Sequence, residues 1–398
     1  MRKIPLIIAS IVSIVVFLVA CAKTDSAANV TATTLYTAIT AAFGSEIDPN
    51  NLANYAAQAK PAYIVKDNTG NNPITNAKAT LGRVLFYDKN LSIDNTISCA
   101  SCHKQAFAFS DTALISVGVA GGLTDRHSMR LVNERFAVES KFFWDERAAT
   151  LESQTTQPIA NHQEMGFSGQ TGRANIGALL TKLQGIGYYN ELFKFVYGDI
   201  TVTEARLQES LAQFVRSIQS FDAKYDIGRA AVNNDRQPFP NFTAQENEGK
   251  DLFLTPPVFD GNSSRIGGGL GCNGCHNAPE FDIDPNTRNN GVIALAVGAG
   301  QDLSITRAPS LRDLVNNKGE LNTRLMHSGG IRDLATAVSH YGGFINDNRN
   351  LDQRLKPNGV NVQRLNLQQS EIAAVVAFLK TLAGTNVYTD KKWSTPFK

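Results

Sequence analysis

The sequence predicts a mainly α-helical protein, and three observations lead to this fold class. Apolar residues recur at three- and four-residue spacing, as at Leu207, Leu211 and Phe214. Thr-x-x-Glu patterns, which are typical of helix N-termini, begin at Thr201 and Thr243. Stretches with the alternating pattern of β-strands are few. We therefore expect helices, rather than a sheet, to build the core.

The predicted elements follow in chain order. Residues 34–59 are rich in Ala and predict one or two helices, with Pro49 interrupting them. Helical spacing predicts further helices at residues 81–86, 176–183, 204–221, 244–253 and 370–384. Turn-forming residues predict loops at 67–73, 118–122 and 233–241.

The length of 398 residues suggests two domains, and the Asn- and Pro-rich stretch 233–241 is the best boundary between them. The predicted organisation is a signal peptide at 1–20, a tether and N-terminal helical segment at 21–74, a first domain at 75–235 and a second at 236–390. The formal net charge is only +2, so we expect no nucleic-acid partner.

One five-residue motif, Cys-x-x-Cys-His, occurs in each predicted domain, at 99–103 and 272–276. This motif is the attachment site for c-type haem, because two thiols bond to the haem vinyl groups and the adjoining histidine becomes an axial ligand of the iron. The residues assigned to two covalent haem c groups are Cys99, Cys102, His103, Cys272, Cys275 and His276. A helix before each motif and another after it match the cytochrome c pattern, so the predicted fold is two cytochrome c-like haem domains in tandem.

The motif has two other interpretations. A Cys-x-x-Cys pair can be a redox dithiol, and two pairs can form a four-cysteine zinc site. Neither requires a histidine immediately after each pair. Apart from Cys21, every cysteine of the chain falls in the two motifs, and this favours haem attachment.

The N-terminus predicts export. Arg2 and Lys3 precede an uncharged apolar run at 4–20, as in a secretory signal. The run ends in Leu-Val-Ala-Cys, which resembles a bacterial lipobox, so Cys21 is the predicted lipidated first residue of the mature chain. The expected location is a membrane surface facing the periplasm, or the outer membrane. The alternatives are an ordinary signal peptide and a single membrane anchor.

Five segments, together with the paired motifs, resemble the bacterial dihaem cytochrome c peroxidase and MauG family. They are Leu-Gly-Arg-Val-Leu-Phe-Tyr-Asp at 81–88, Phe-Trp-Asp-Glu-Arg at 143–147, Leu-Glu-Ser-Gln at 151–154, Glu-Met-Gly at 164–166 and Pro-Ser-Leu-Arg at 309–312. The resemblance extends roughly over residues 80–382. It implies that the first haem reacts with peroxide and that the second receives electrons.

The resemblance also implies roles for three side chains. Glu164 matches the catalytic glutamate of the family, which moves a proton between the two peroxide oxygens as general base and then acid. Gln154 matches a distal glutamine, and Trp144 matches a tryptophan between the two haems. Without the resemblance, Glu164 would be interpreted as a solvated surface charge and Trp144 as a packed core aromatic.

This sequence departs from the family pattern at two places. Many members carry a haem-ligating histidine in the loop after the first motif, but here the loop reads Ser-Val-Gly-Val at 116–119. The first haem is therefore expected to be five-coordinate, as in MauG. His127 stands where the family has an asparagine that binds calcium, which argues against a calcium ion. His127 could ligate the first haem iron only if a loop brought it to the iron. We expect His162 to be a surface or pocket-lining residue, and we assign no catalytic step to His327.

The sixth ligand of the second haem is a methionine in the peroxidases, and Tyr341 occupies that place here, as in MauG-type proteins. A phenolate is a hard anionic ligand, whereas a thioether raises the iron potential. The alternatives are a packed Tyr341 with Met326 or His340 as the ligand.

The sequence is compatible with three functions. The first is a cytochrome-c peroxidase-like oxidoreductase that reduces hydrogen peroxide with electrons from a small donor, either a cytochrome c or a copper protein. The second is a MauG-like enzyme that oxidises residues of a partner protein. The third is a dihaem electron carrier without enzymatic activity, against which Glu164 and the open loop argue.

Overall fold

Helices dominate the computed structural model, which describes residues 35–138, 141–283 and 285–398. Residues 36–398 form one compact unit. The α-helices of the described residues are α1 Thr37–Phe43, α2 Asn76–Tyr87, α3 Cys99–Cys102, α4 Leu151–Ala160, α5 Ile176–Gln184, α6 Gly187–Tyr197, α7 Glu204–Ser217, α8 Lys224–Ala230, α9 Ala244–Leu254, α10 Leu334–Gly343 and α11 Gln369–Lys380. The predicted signal peptide and Cys21 lie outside the described residues.

The strands are short and form two small antiparallel pairs. They are β1 Pro257–Phe259 with β2 Arg265–Gly268, and β3 His276–Asn277 with β4 Asp282–Ile283. Neither pair is large enough to form a layer of its own, and the mainly helical fold class is confirmed. In the part of the chain that is described, no helix is long and apolar enough to cross a membrane.

Each Cys-x-x-Cys-His motif follows a helix that crosses another helix at very short distance. A Cβ atom at Gly82 of α2 would lie 2.0 Å from the backbone oxygen of Ser210 in α7. A Cβ atom at Gly249 of α9 would lie 1.9 Å from the backbone oxygen of Ala374 in α11. Only glycine permits these approaches, because any side chain would separate the helices. The two halves of the chain thus build the same helix crossing beside their motifs.

Two hydrophobic cores lie beside these crossings. The first takes its buried side chains from residues 39–218 and from Val387 and Trp393 near the C-terminus. The second takes its buried side chains from residues 225–382, where Phe281 packs against Tyr225, Phe253 and Phe378. The predicted domain boundary at 235/236 stays a prediction.

Several local predictions differ from the structure. One or two helices were predicted at 34–59; the described residues 35–59 contain a single helix, α1, because the stretch after Phe43 turns at Gly44, whose φ is +62°. The N-cap of α7 is Thr203 rather than Thr201, and its side chain accepts a hydrogen bond from the N–H of Arg206 at 3.3 Å. The capping box at Thr243 and Glu246 is confirmed, with hydrogen bonds of 3.2 and 2.6 Å.

Helices α3, α4, α6, α8 and α10 were not predicted. Helix α4 contains an interior proline, Pro158, and its N-cap is Thr150 with Ser153 rather than glutamate at the third position. Helix α6 is rich in aromatic residues, which have a low helix propensity in isolation. Packing of Tyr189, Leu192 and Phe193 in the first core stabilises it nonetheless.

Candidate active site

The first motif begins as helix α3, which follows α2 in the chain. Ser98 is its N-cap, and the backbone N–H of Ser98 donates to Oγ of Ser101 at 3.0 Å. His103 follows the helix, and its Nδ1 lies 3.0 Å from the backbone oxygens of Phe109 and Met129. Nδ1 therefore carries the proton, and Nε2 keeps the lone pair that a metal ligand needs. Burial lowers the pKa of His103 and keeps the imidazole neutral.

The second motif begins as a 3₁₀ turn, Cys272–Gly274, and continues into β3 at His276. Gly271 has a φ of +70°, a left-handed conformation that glycine adopts without strain. Burial lowers the pKa of His276 to about 4, so this imidazole is also neutral at pH 7. Both histidines are thus in the protonation state that binds iron.

The surroundings of the thiols of Cys99, Cys102 and Cys272 favour the protonated form. Burial raises the pKa of Cys99 and of Cys272 to about 12, and that of Cys102 to about 11. A redox dithiol needs a lowered pKa, so these environments do not suit that chemistry. The two pairs of cysteines also line different cavities. In residues 35–138, 141–283 and 285–398, no cluster of three His, Cys, Asp or Glu side chains could hold a metal ion.

Two cavities adjoin the motifs. The cavity of the first motif measures about 190 Å³ and that of the second about 530 Å³. Trp144 lines both cavities, as do the adjacent His127 and Arg307. The structure therefore brings Cys99, Cys102, His103, Trp144, Gln154 and Glu164 together around the first cavity, and Cys272, Cys275, His276, Trp144 and Tyr341 around the second.

Glu164 is presented to the first cavity by a tight turn after α4. Oδ1 of Asn161 accepts hydrogen bonds from the N–H groups of Gln163 and Glu164, at 2.8 and 3.2 Å. The N–H of Val119 donates to the backbone oxygen of Glu164 at 2.9 Å. These contacts hold the backbone on both sides of the carboxyl group.

The carboxyl group of Glu164 has an unusual affinity for protons. Burial raises its pKa from 4.5 to about 7, Arg147 opposes that rise and Asp125 adds to it. A carboxyl group with this pKa exchanges a proton readily near neutral pH. Gln154, on α4, lines the same cavity and supplies an amide that can donate or accept a hydrogen bond.

The other histidines of the first half are engaged elsewhere. Nδ1 of His127 lies 3.1 Å from the backbone oxygen of Leu114, and its Nε2 lies 2.5 Å from Oγ1 of Thr323. Both ring nitrogens are thus used, and His127 is not free to bind iron. Nδ1 of His162 lies 2.9 Å from Oγ of Ser168, and His162 does not line the first cavity.

On the second cavity, Tyr341 and Met326 share one neighbour. Nδ2 of Asn290 donates to the hydroxyl oxygen of Tyr341 at 3.2 Å and lies 3.5 Å from Sδ of Met326. Burial raises the pKa of Tyr341 above its ordinary value. His340 does not line the cavity, and its Nε2 lies 2.9 Å from the backbone oxygen of Asn290. Tyr341 and Met326 therefore stay candidates, whereas His340 points to a backbone carbonyl.

Sequence reasoning missed four residues of the site: Asn161, Arg147, Asn290 and Arg307. The Asn-x-x-Glu spacing at 161–164 is typical of a side chain that caps a turn, and it could have revealed Asn161. The other three reach the site by tertiary packing. Arg307, for example, lies 160 positions after Arg147 and pairs with the buried Glu134 at 2.9 Å.

A mainly helical fold with two cavities, each lined by Cys-x-x-Cys-His, is the arrangement of a di-haem c-type protein. Comparison with known proteins agrees. Residues 76–234 match the family model described as di-haem cytochrome c peroxidase. The chain is 29% identical to the methylamine utilization protein MauG of Methylophilus methylotrophus over 321 residues, which covers 79% of this chain and 84% of the relative. It is 28% identical to cytochrome c551 peroxidase of Nitrosomonas europaea over 321 residues, or 77% and 80% of the two chains.

Solved structures share the fold. A MauG-like protein associated with microbial copper homeostasis superimposes with a TM-score of 0.63 at 24% identity, over 85% of this chain and 98% of the other. The diheme peroxidase BthA of Burkholderia thailandensis gives a TM-score of 0.57 at 20% identity, over 87% and 92%. Residues 76–234 thus belong to the bacterial dihaem cytochrome c peroxidase and MauG family. With relatives named MauG and cytochrome c551 peroxidase along most of the chain, the protein is an oxidoreductase of the peroxidase type.

Proposed function

We propose that this chain binds two covalent c haems and reduces hydrogen peroxide to water with electrons from a small periplasmic donor protein. The reaction is H₂O₂ + 2H⁺ + 2e⁻ → 2H₂O, so each turnover consumes two protons and two electrons. The observation that carries the proposal is Glu164, a buried carboxyl group with a pKa of about 7 in the cavity of the first motif. An electron carrier has no use for such a group.

The residues of both cavities fit haem. Cys99 and Cys102 supply thiols for two thioether bonds, and His103 offers a neutral imidazole with Nε2 available. Cys272, Cys275 and His276 repeat the set in the larger cavity. When bound, haem would supply an iron that exchanges electrons one at a time and that can bind peroxide.

The chain's own contribution to the first site is proton movement. As a carboxylate, Glu164 takes a proton from one peroxide oxygen, and as an acid it gives the proton to the other oxygen. Its burial keeps both forms populated near pH 7. The amide of Gln154 donates a hydrogen bond that orients peroxide in the cavity. The loop at 116–119 contains no histidine, so it would supply no imidazole ligand to the first iron.

At the second site we propose Tyr341 as the distal iron ligand. Its hydroxyl group lines the cavity and accepts a hydrogen bond from Asn290, which would orient the oxygen toward the iron and stabilise a phenolate. Trp144, which borders both cavities, is the group through which the two haems would exchange electrons.

A MauG-like reaction is the second candidate, and two observations favour it. Tyr341 stands in the place of the peroxidases' methionine, and a hard anionic ligand lowers the iron potential and disfavours electron uptake from cytochrome c. Trp144 would let the two haems share oxidising equivalents. In this reaction, peroxide would be the oxidant and residues of a partner protein the reductant. This candidate would be favoured if neither a cytochrome c nor a copper protein donates electrons and if a partner protein is oxidised.

Steady-state peroxide consumption with reduced cytochrome c or a reduced copper protein tests the proposal. Glu164→Gln should keep two haems per chain and lose turnover roughly 100-fold or more, the size of an acid–base contribution. Glu248→Gln is the matched control, because Glu248 is an exposed carboxylate on α9. Equal turnover in the two variants would remove Glu164 from the mechanism, and a wild type without peroxide turnover would refute the peroxidase function.

We also propose that the protein is exported and held at a membrane surface by lipid on Cys21. The uncharged apolar run at 4–20 and its lipobox-like end support this location. Attachment outside the cytoplasm also agrees with the c-type motifs, because haem c is attached after export.

A further inference from the structure

His127 connects the segments that carry the two motifs. Its Nδ1 lies 3.1 Å from the backbone oxygen of Leu114, which belongs to the first half of the chain. Its Nε2 lies 2.5 Å from Oγ1 of Thr323, and its N–H donates to the backbone oxygen of His327 at 2.8 Å; both of these residues belong to the second half. Only 3% of the residue is exposed. One buried side chain therefore binds both halves.

Thr323 extends this connection. Its Oγ1 lies 2.5 Å from the backbone oxygen of Asp111 and 3.1 Å from Oγ of Ser110. Oγ1 of Thr323 thus connects the imidazole of His127 to Ser110 and Asp111, which follow the first motif in the chain. Each of these polar groups is buried, so breaking the set would leave unsatisfied donors and acceptors.

The backbone oxygen of His127 also accepts a hydrogen bond from the indole of Trp144. Nε1 of Trp144 donates to this oxygen at 2.8 Å. The Trp144 ring also meets the His327 ring edge to face, with centroids 6.2 Å apart. The N–H groups of Thr306 and Arg307 donate to the backbone oxygen of Trp144 at 3.0 and 3.1 Å. The indole thus donates to the backbone oxygen of the residue whose imidazole contacts Leu114 and Thr323.

We propose that His127 is a positioning residue that holds Trp144 between the two haem cavities and thereby sets the rate of electron transfer between the haems. The inference rests on the two haems of the proposed function, but it does not depend on peroxide turnover. This positioning role requires an imidazole, because one ring nitrogen of His127 contacts Leu114 and the other contacts Thr323.

The test uses the haem-loaded protein without peroxide. One haem is reduced by a light pulse, and the re-equilibration of the electron with the other haem is followed by absorbance. His127→Ala should retain two haems but slow this step roughly tenfold or more, the usual size of losing an outer positioning contact. Ultraviolet resonance Raman spectra should show a weakened hydrogen bond at the indole N–H, with Trp144→Phe used to assign the signal.

Thr323 provides a second, milder variant in case His127→Ala does not fold. Thr323→Val removes the hydroxyl at nearly constant volume and should slow electron transfer, whereas Thr323→Ser keeps the hydroxyl and should restore the rate. Tyr55→Phe is the control for general destabilisation, because it removes a buried hydrogen bond of 2.6 Å to the backbone oxygen of Lys392. Its transfer rate should equal that of the wild type.

The proposal is wrong if His127→Ala or Thr323→Val melts at a lower temperature but keeps the wild-type indole signal and transfer rate. That outcome would make His127 a structural residue only. A wild type that carries fewer than two haems would instead refute the proposed function, so the two failures are distinguishable by haem content.

Discussion

A Cβ atom at Gly118 would lie 2.0 Å from the backbone oxygen of Gln163, so the loop after the first motif packs directly against the residue that precedes Glu164. Gly122 makes a similar approach, at 2.4 Å from the same oxygen. Between these glycines, the N–H of Val119 donates to the backbone oxygen of Glu164. The loop that lacks a histidine therefore supports the backbone of the proposed proton carrier.

Gly118→Ala should displace the Gln163–Glu164 backbone. Gly118 does not have a positive φ, so the cost of the methyl group comes from its clash with the Gln163 oxygen at 2.0 Å and with the backbone oxygen and Cα of Glu164 at 2.6 and 2.7 Å. A misplacement of about 1 Å can lower turnover by roughly 100-fold, and overpacking costs about 1–3 kcal/mol of stability. Gly267→Ala is the matched control, because a Cβ there meets no atom within 4 Å. Equal peroxide turnover in both variants would contradict the supporting role of the loop.

The pH dependence of turnover should report the pKa of Glu164. The carboxylate form accepts the proton, so kcat/KM should rise with pH and level off above about 7. Arg147→Met removes the charge that lowers this pKa and should move the midpoint to higher pH. Asp125→Asn removes the charge that raises it and should move the midpoint to lower pH. Midpoints that fail to move in opposite directions would argue that another group titrates.

Tyr341→Phe should change the ferric absorption spectrum of the second haem and raise its reduction potential, because the variant loses an anionic ligand. Met326→Leu and His340→Ala serve as comparisons, since Met326 lines the same cavity and His340 does not. A spectrum that responds only to Met326→Leu would assign the ligand to the thioether.

Asp282 should make the folded state less stable as pH rises. Burial raises its pKa from 3.8 to about 7, and this outweighs the attraction of Lys66, whose Nζ lies 3.5 Å away. The folded state binds the proton more tightly than the unfolded state, so its contribution is complete below pH 3.8 and is lost as pH rises through about 7. The slope is at most about 1.4 kcal/mol per pH unit.

Denaturant unfolding at several pH values measures the contribution of Asp282. Asp282→Asn should flatten the decline between pH 4 and 7, and Lys66→Met should extend it to higher pH, because Lys66 lowers the pKa of Asp282. An unchanged profile in Asp282→Asn would show that this carboxyl group is not protonated in the folded protein.

Cys21→Ser should release the protein from the membrane fraction or leave its signal peptide uncleaved. Stable anchoring needs more than one acyl chain, which a lipidated N-terminal cysteine provides. Cell fractionation and mass spectrometry of the N-terminal peptide measure the effect. A wild-type mature chain without lipid, found freely in the periplasm, would refute the anchor.

The sequence by itself determined the features whose residues are neighbours in the chain. Cys99 to His103 are neighbours in the chain, so their spacing alone predicts haem attachment. Helices α7 and α11 were predicted because their buried side chains follow the period of the helix itself. Glu164 needed more, since its assignment depended on a family resemblance and its neighbours in the chain do not explain its pKa.

Only the tertiary structure decided how these parts meet. The raised pKa of Glu164 comes from burial, and the contact of Gly118 with Gln163 joins residues that no local pattern relates. The position of Trp144 depends on the carbonyl of His127, which in turn depends on Thr323, 196 positions away. Periodicity and capping act within a few residues, whereas these contacts require two cores to pack against each other, and packing depends on the shapes of all the side chains at once.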